Sequence, residues 1–191
     1  MTDFEKYMNQ FVDFLDSEKQ SVLITGLDDD AKIRMVLNGL NARYKNGMIR
    51  CSELGRIAEV INDAFNKKLL PSKVGGQGIY SIGNMEITFS KYIDSLVDYT
   101  IGERFDFVLY FPIETVLLTG REKYLNQLLN NVSHTGSSKV VLMTTNDHKK
   151  NLKSLRDIVD VHIHYDISND NPELLEIIKS NLGDFEYPDF G

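Results

Sequence analysis

Unbroken apolar runs alternate with amphipathic stretches along most of this chain, and that rhythm constrains the fold more than any other feature. The runs "SVLIT" (21–25), "FDFVLYF" (105–111) and "KVVLMTT" (139–145) suit strands covered on both faces. "GMIRCS" (47–52) and "DVHIHYDI" (160–167) read as two more. Between 54 and 70, Ile57, Val60, Ile61, Ala64 and Phe65 share one stripe, which predicts a helix running up to Pro71. Further helices are expected at about 30–42, 121–132, 148–159 and 171–182, the last with Asn171 as cap and Pro172 at its first position. Strands alternating with helices imply a mainly parallel sheet with right-handed crossovers, an α/β three-layer sandwich.

Three segments stand outside that rhythm. Residues 1–20 place Phe4, Met8, Phe11 and Leu15 at helical spacing behind a Thr2/Glu5 capping box, so a helix is expected to cover one edge of the core. Residues 75–92 read as a small β-hairpin insertion turning at Gly83-Asn84. The acidic, aromatic tail at 184–191 is expected to be exposed. With 191 residues, no internal repeat and no low-complexity linker, the chain is expected to form a single α/β domain over 1–191.

Composition narrows the setting. Apolar residues at 42% and charged residues at 26% suit a globular chain, and no apolar run approaches the length of a membrane span. The acidic, polar start and the single cysteine, Cys51, point to a cytoplasmic protein without disulfides. Net charge is −7, and residues 161–191 contribute seven acids against one base, Lys179. That balance argues against sequence-independent nucleic-acid binding by the chain as a whole.

The stretch "GLDDDAKI" (26–33) lies between the first strand and its helix. A phosphate-binding loop has the form G-x-x-x-x-G-K-[ST]: glycines let backbone N–H groups wrap phosphate, the lysine neutralises it, and the hydroxyl holds magnesium. Gly26 and Lys32 keep that spacing. Ala31 replaces the second glycine, Ile33 replaces the hydroxyl, and Asp28, Asp29 and Asp30 put three carboxylates where a triphosphate would bring its own charge. The later strand "FDFVLYF" ends in Tyr110 and Phe111 rather than an aspartate. Asp106 is at the wrong end of it, and Glu114 is the nearest substitute.

On these residues the order of elements from 21 to about 167 resembles the RecA/KaiC-type P-loop NTPase core, in a degenerate form. The resemblance implies a degenerate Walker A loop at Gly26–Lys32. It implies a γ-phosphate-sensing strand end at Thr144, Thr145 and Asn146, and a water-activating glutamate at the place of Glu53. It also implies that such domains pack side by side, so self-association is expected. The ligand crevice is expected at the C-terminal strand ends, lined by Gly26, Asp28, Asp29, Asp30, Lys32, Glu53, Glu114, Thr145 and Asn146, with Asp147 nearby.

Other constellations give alternatives. Asp28, Asp29 and Asp30, with Glu53 or Asp147, can hold magnesium while Lys32 meets a phosphate, which describes a metal-dependent phosphoryl-transfer or hydrolytic enzyme or an unusual nucleotide binder. Lys149, Lys150, Lys153 and Arg156, with Lys139 nearby, form a basic helix face able to meet nucleic acid or an acidic partner. His162 and His164 share one strand face, a weak zinc pattern that a polar edge strand also explains. Cys51 has no histidine neighbour in sequence to activate it. The leading expectation is a non-catalytic P-loop-like interaction or regulatory subunit of a cytoplasmic assembly, a pseudo-ATPase without cofactor that meets a protein partner or a second copy, and no membrane.

Overall fold

The computed structural model describes residues 1–93, 105–118, 120–144 and 149–182. Their elements, in chain order, are α1 Asp3–Asp16, β1 Ser21–Gly26, α2 Asp29–Asn41, β2 Asn46–Cys51, α3 Leu54–Ala64, β3 Ile79–Ile82, β4 Met85–Lys91, β5 Phe107–Tyr110, α4 Glu114–Leu117, α5 Glu122–Ser133, β6 Lys139–Met143, α6 Lys149–Arg156, β7 Val161–Tyr165 and α7 Pro172–Leu182. The expected tail at 184–191 lies outside the described residues.

Seven strands form one sheet in the order β3-β4-β2-β5-β6-β1-β7. Every pairing is parallel except the β3/β4 hairpin. The hairpin joins the main sheet: β4 runs parallel to β2 from Asn46↔Glu86 to Cys51↔Lys91. Its turn uses Gly83 at φ 61°, and the Asn84 N–H is received by the Asn41 side chain at 2.7 Å.

Strand alternation separates two apolar layers. Val22, Ile24, Ile49, Leu109, Val141 and Ile163 point to the side covered by α1, α2 and α3. Leu23, Met48, Val108, Val140 and Leu142 point to the side that meets Val116, Leu128 and Leu155 of α4, α5 and α6. β1 has all six residues buried, as a strand flanked by β6 and β7 and covered on both faces requires.

The first helix is fixed at both ends. Thr2 and Glu5 make the capping box, and Asp170 accepts the Asp3 and Phe4 N–H groups at 2.9 and 2.7 Å. Asp3 in turn accepts Asn169 N–H at 2.9 Å. At the far end, Lys139 Nζ donates to the carbonyls of Phe14, Ser17 and Lys19 at 3.1, 2.7 and 2.5 Å, a cation placed on a helix C-terminus.

Two helices end earlier than the sequence predicts: α6 stops at Arg156, short of 159, and α3 stops well before Pro71. α3 stops at Ala64, because Asn66 takes a left-handed φ of 47° and the Asn62 side chain captures the Leu69 and Leu70 N–H groups at 2.8 Å each. The expected cap of α7 forms, with Asn171 Oδ1 accepting Leu174 N–H at 3.2 Å. Among the described residues, no helix is long and apolar enough to cross a membrane.

Candidate functional site

Because β1, β6, β5 and β2 lie side by side and parallel, their C-terminal ends come together at the end of the sheet where open α/β folds place their crevice. Gly26 closes β1 at φ 121°, a conformation that disfavours any side chain. It also sits against the neighbouring strand, where a Cβ would collide with the Tyr165 carbonyl oxygen. This glycine therefore has a structural reason to be there that is independent of phosphate.

The three aspartates have three different fates. Asp28 is the N-cap of α2, and its Oδ1 accepts the Ala31 N–H at 2.9 Å. A carboxylate of the chain thus occupies the anion position at this helix N-terminus. Asp29 lies 3.0 Å from Lys32 Nζ, as an ion pair rather than an aligned hydrogen bond. Asp30 is exposed in the first turn, where its charge favours the helix dipole.

Lys32 is fully buried. Its Nζ donates to the Gly26 carbonyl and, at 2.6 Å, to the Thr144 carbonyl at the end of β6. The ammonium is turned into the loop and stitches β1 to β6. Ile33 is buried in the apolar layer beside it.

Desolvation pushes the Asp29 carboxyl up to about 6, opposed by Lys32 and reinforced by Glu114 and Asp28. Glu114, the first residue of α4, thus reaches the same crevice from the β5 side. The folded form holds a proton on Asp29 between its unfolded value of 3.8 and about 6, so this group's contribution to stability declines as pH rises through that window. The side chain keeps 37% exposure, so solvent screening reduces the effect well below the full shift. From pH 4 to pH 7, urea unfolding should move the balance between Asp29→Asn and the parent chain in the variant's favour by about 1 kcal/mol.

On the β2 side, Tyr92 is buried, its hydroxyl donating to the Pro112 carbonyl at 2.5 Å and lying within reach of Ser52 and Thr115. Burial raises its phenol above the ordinary range. Glu53 is exposed as the N-cap residue of α3 and makes no capping bond with its side chain. Cys51 is buried, and burial pushes its thiol up to about 12. It is therefore no activated nucleophile, and alkylation at pH 8 should be slower by about a thousandfold or more than after unfolding in urea.

The crevice so described brings together Gly26, Asp28, Asp29, Lys32, Glu114 and Thr144. Thr145, Asn146 and Asp147 lie outside the described residues. Of the basic face, Lys153 and Arg156 are exposed while Leu152 and Leu155 of the same helix are buried; the side chains of Lys149 and Lys150 lie outside the described set. Lys139 departs from expectation, being buried under α1. Asp106, at the far end of β5, accepts the Lys45 and Asn46 N–H groups at 3.0 and 2.9 Å, a structural duty. Tyr92 had no signal in the sequence, since only the parallel β2/β4 pairing brings it beside Ser52.

A DEAD box protein from the hyperthermophile Methanococcus jannaschii superposes on this chain with a TM-score of 0.56 at 13% identity. The fold is that of the P-loop-like α/β proteins. The match covers 97% of this chain and 58% of that one, so the chain spans little more than half that protein's length. A DNA replication initiation factor is more distant, with a TM-score of 0.44 and 13% identity over 93% of this chain and 49% of the other. Neither a family model nor a curated protein matches the sequence.

Proposed function

We propose that this chain is a non-catalytic P-loop-like domain that acts as an interaction or regulatory subunit of a cytoplasmic assembly, with its former nucleotide site filled by its own side chains. One observation carries the reading: Lys32, at the place of the phosphate-binding lysine, is fully buried and bonded to the Gly26 and Thr144 carbonyls. Asp28 supports it by occupying the helix N-terminus that phosphate would need. Ile33 offers magnesium no oxygen.

Partner surfaces are available on such a domain. The strands β3 and β7 end the sheet on either side, and Ile79 of β3 is 71% exposed. An open groove of about 330 Å³ runs between α1 and β7, lined by Asp13, Phe14, Val161 and Ile163 among others. Either is suited to a protein partner or a second copy.

A second reading has one observation in its favour. Asp29, with a carboxyl raised to about 6 beside Glu114, has the protonation behaviour of a general acid or base in a crevice. It would make the chain a metal-dependent phosphoryl-transfer or hydrolytic enzyme with Lys32 as electrophile. Phosphate release from ATP and GTP with Mg2+ or Mn2+ separates the readings. The proposal expects the uncatalysed rate, whereas turnover that disappears in Asp29→Asn would establish the enzyme instead.

A further inference from the structure

The two edges of the sheet, β3 and β7, differ in character. β7 lies between Asp160 and Asp166 and is overlaid by α1, whose Tyr7 ring meets Tyr165 edge-on at 5.4 Å. β3 carries no charge and no proline, and the same holds for every residue from Val74 to Met85. Ile79 stands 71% exposed on it. Charged residues and proline are what sheets place on an edge to keep other strands away, and this edge has neither.

The backbone of the edge is laid out to meet its own copy. The two-residue turn at Gly83-Asn84 makes Ile82/Met85 and Tyr80/Ile87 the hydrogen-bonded pairs of the hairpin. The N–H and C=O groups of Ile79 and Ser81 therefore point away from β4, and no described residue receives them. Setting a second β3 antiparallel across a two-fold axis at Tyr80 puts Ile79 opposite the partner's Ser81, and Ser81 opposite the partner's Ile79. Every outward donor then meets an acceptor. Ile79 lies diagonal to the partner's Ile79, within side-chain reach, so pairing covers the exposed apolar group. The strand is also held in place beforehand. The Tyr80 ring packs edge-on against Phe89 at 5.5 Å, its hydroxyl accepts the Gly75 N–H at 2.8 Å, and the Asn41 side chain accepts the Asn84 N–H at 2.7 Å.

We propose that β3 is a self-association edge, through which two copies of this chain pair antiparallel about Tyr80 into one continuous sheet. The inference rests on the reading of the chain as an interaction subunit and identifies the partner as a second copy. Charge is consistent with that occupant: each chain carries a net −7, so two copies approach most easily along an uncharged stretch, and 74–85 is one that also offers outward backbone groups. The contact is isologous and closes at two. With a strand of only 4 residues, it belongs to the small, transient class of interfaces.

The test is sedimentation velocity of the full chain from about 10 µM to about 1 mM in physiological salt, a range that spans transient association. The expected result is a coefficient that rises with concentration toward the dimer value. Ser81→Pro removes an outward N–H that the hairpin does not use, and Ile79→Lys puts a cation on each side of the axis. Each should weaken association at least tenfold while Tm and circular dichroism stay those of the parent. A second measurement uses Tyr80→Cys, because opposed residues in a non-hydrogen-bonded pair have Cα atoms about 4.5 Å apart, within disulfide range. With diamide it should form a linked dimer at least tenfold faster than Ser133→Cys, exposed on α5, while the buried Cys51 stays out of the reaction. A chain that stays monomeric throughout, association unchanged in both edge variants, or equal cross-linking from positions 80 and 133 would overturn the proposal. Nucleotide binding by a chain that still dimerises would sink the non-catalytic reading alone, and a monomer that ignores nucleotide would sink this proposal alone.

Discussion

Replacing Lys32 with methionine should destabilise the chain by about 3 kcal/mol, because removing one partner of a buried charge leaves the others unsatisfied. The methionine keeps the apolar stem. It removes the ammonium that bonds the Gly26 and Thr144 carbonyls and leaves the Asp29 carboxylate without its cation. For a chain of this length such a loss lowers Tm by about 6–12 °C. Adding Asp29→Asn to Lys32→Met should restore part of the stability, since the two side chains are in contact and their effects are coupled. A lysine whose task was to neutralise phosphate would behave differently: its loss would leave Tm unchanged and abolish ligand binding. Urea unfolding of the parent chain, both single variants and the double variant completes the cycle.

An effect of similar size is expected at Lys139. Its ammonium is held by three carbonyls at the end of α1 and sits 4.7 Å from the centre of the Phe14 ring. Burial lowers its pKa, which shows that the charge is kept there at some cost in hydration. Lys139→Ala removes the charge-assisted bonds and the buried stem together and should cost about 3 kcal/mol in urea unfolding. Lys139→Gln retains two N–H donors and should recover part of the loss. If Lys139→Ala were as stable as the parent, α1 would owe its position to packing alone, through Phe11, Phe14 and Leu15.

The difference between these two lysines and their appearance in the sequence shows what was legible there. β1, β5 and β6 announce themselves because strands covered on both faces need continuous apolar runs, and the caps at Thr2 and Asn171 form as local chemistry requires. The departure of "GLDDDAK" from the phosphate-loop pattern was also readable, from residue types alone. Where Lys32 goes was not: its acceptor at Thr144 is 112 residues away and follows from β1 lying beside β6. Lys139 reads as surface charge until the end of α1 is placed over it. The early stop of α3 depends on Asn62 reaching seven and eight residues onward, which a helical stripe does not encode.

The histidine pair follows the same logic. Alternation on β7 puts both rings on one face, but only the register against β1 reveals that Thr25 stands between them. Lys153 and Arg156 are exposed on α6, and the nucleic-acid alternative predicts binding whose logarithm falls linearly and steeply with the logarithm of salt concentration.

The central claim is that the chain's own Asp28 and Lys32 occupy the place of a bound phosphate. It is tested most directly by thermal unfolding of the full chain with and without millimolar ATP, ADP or GTP in the presence of Mg2+. The account predicts superimposable curves. A nucleotide present at one hundred times its dissociation constant would add about 2.7 kcal/mol, and a rise in Tm of about 5–11 °C with any of the three would contradict it.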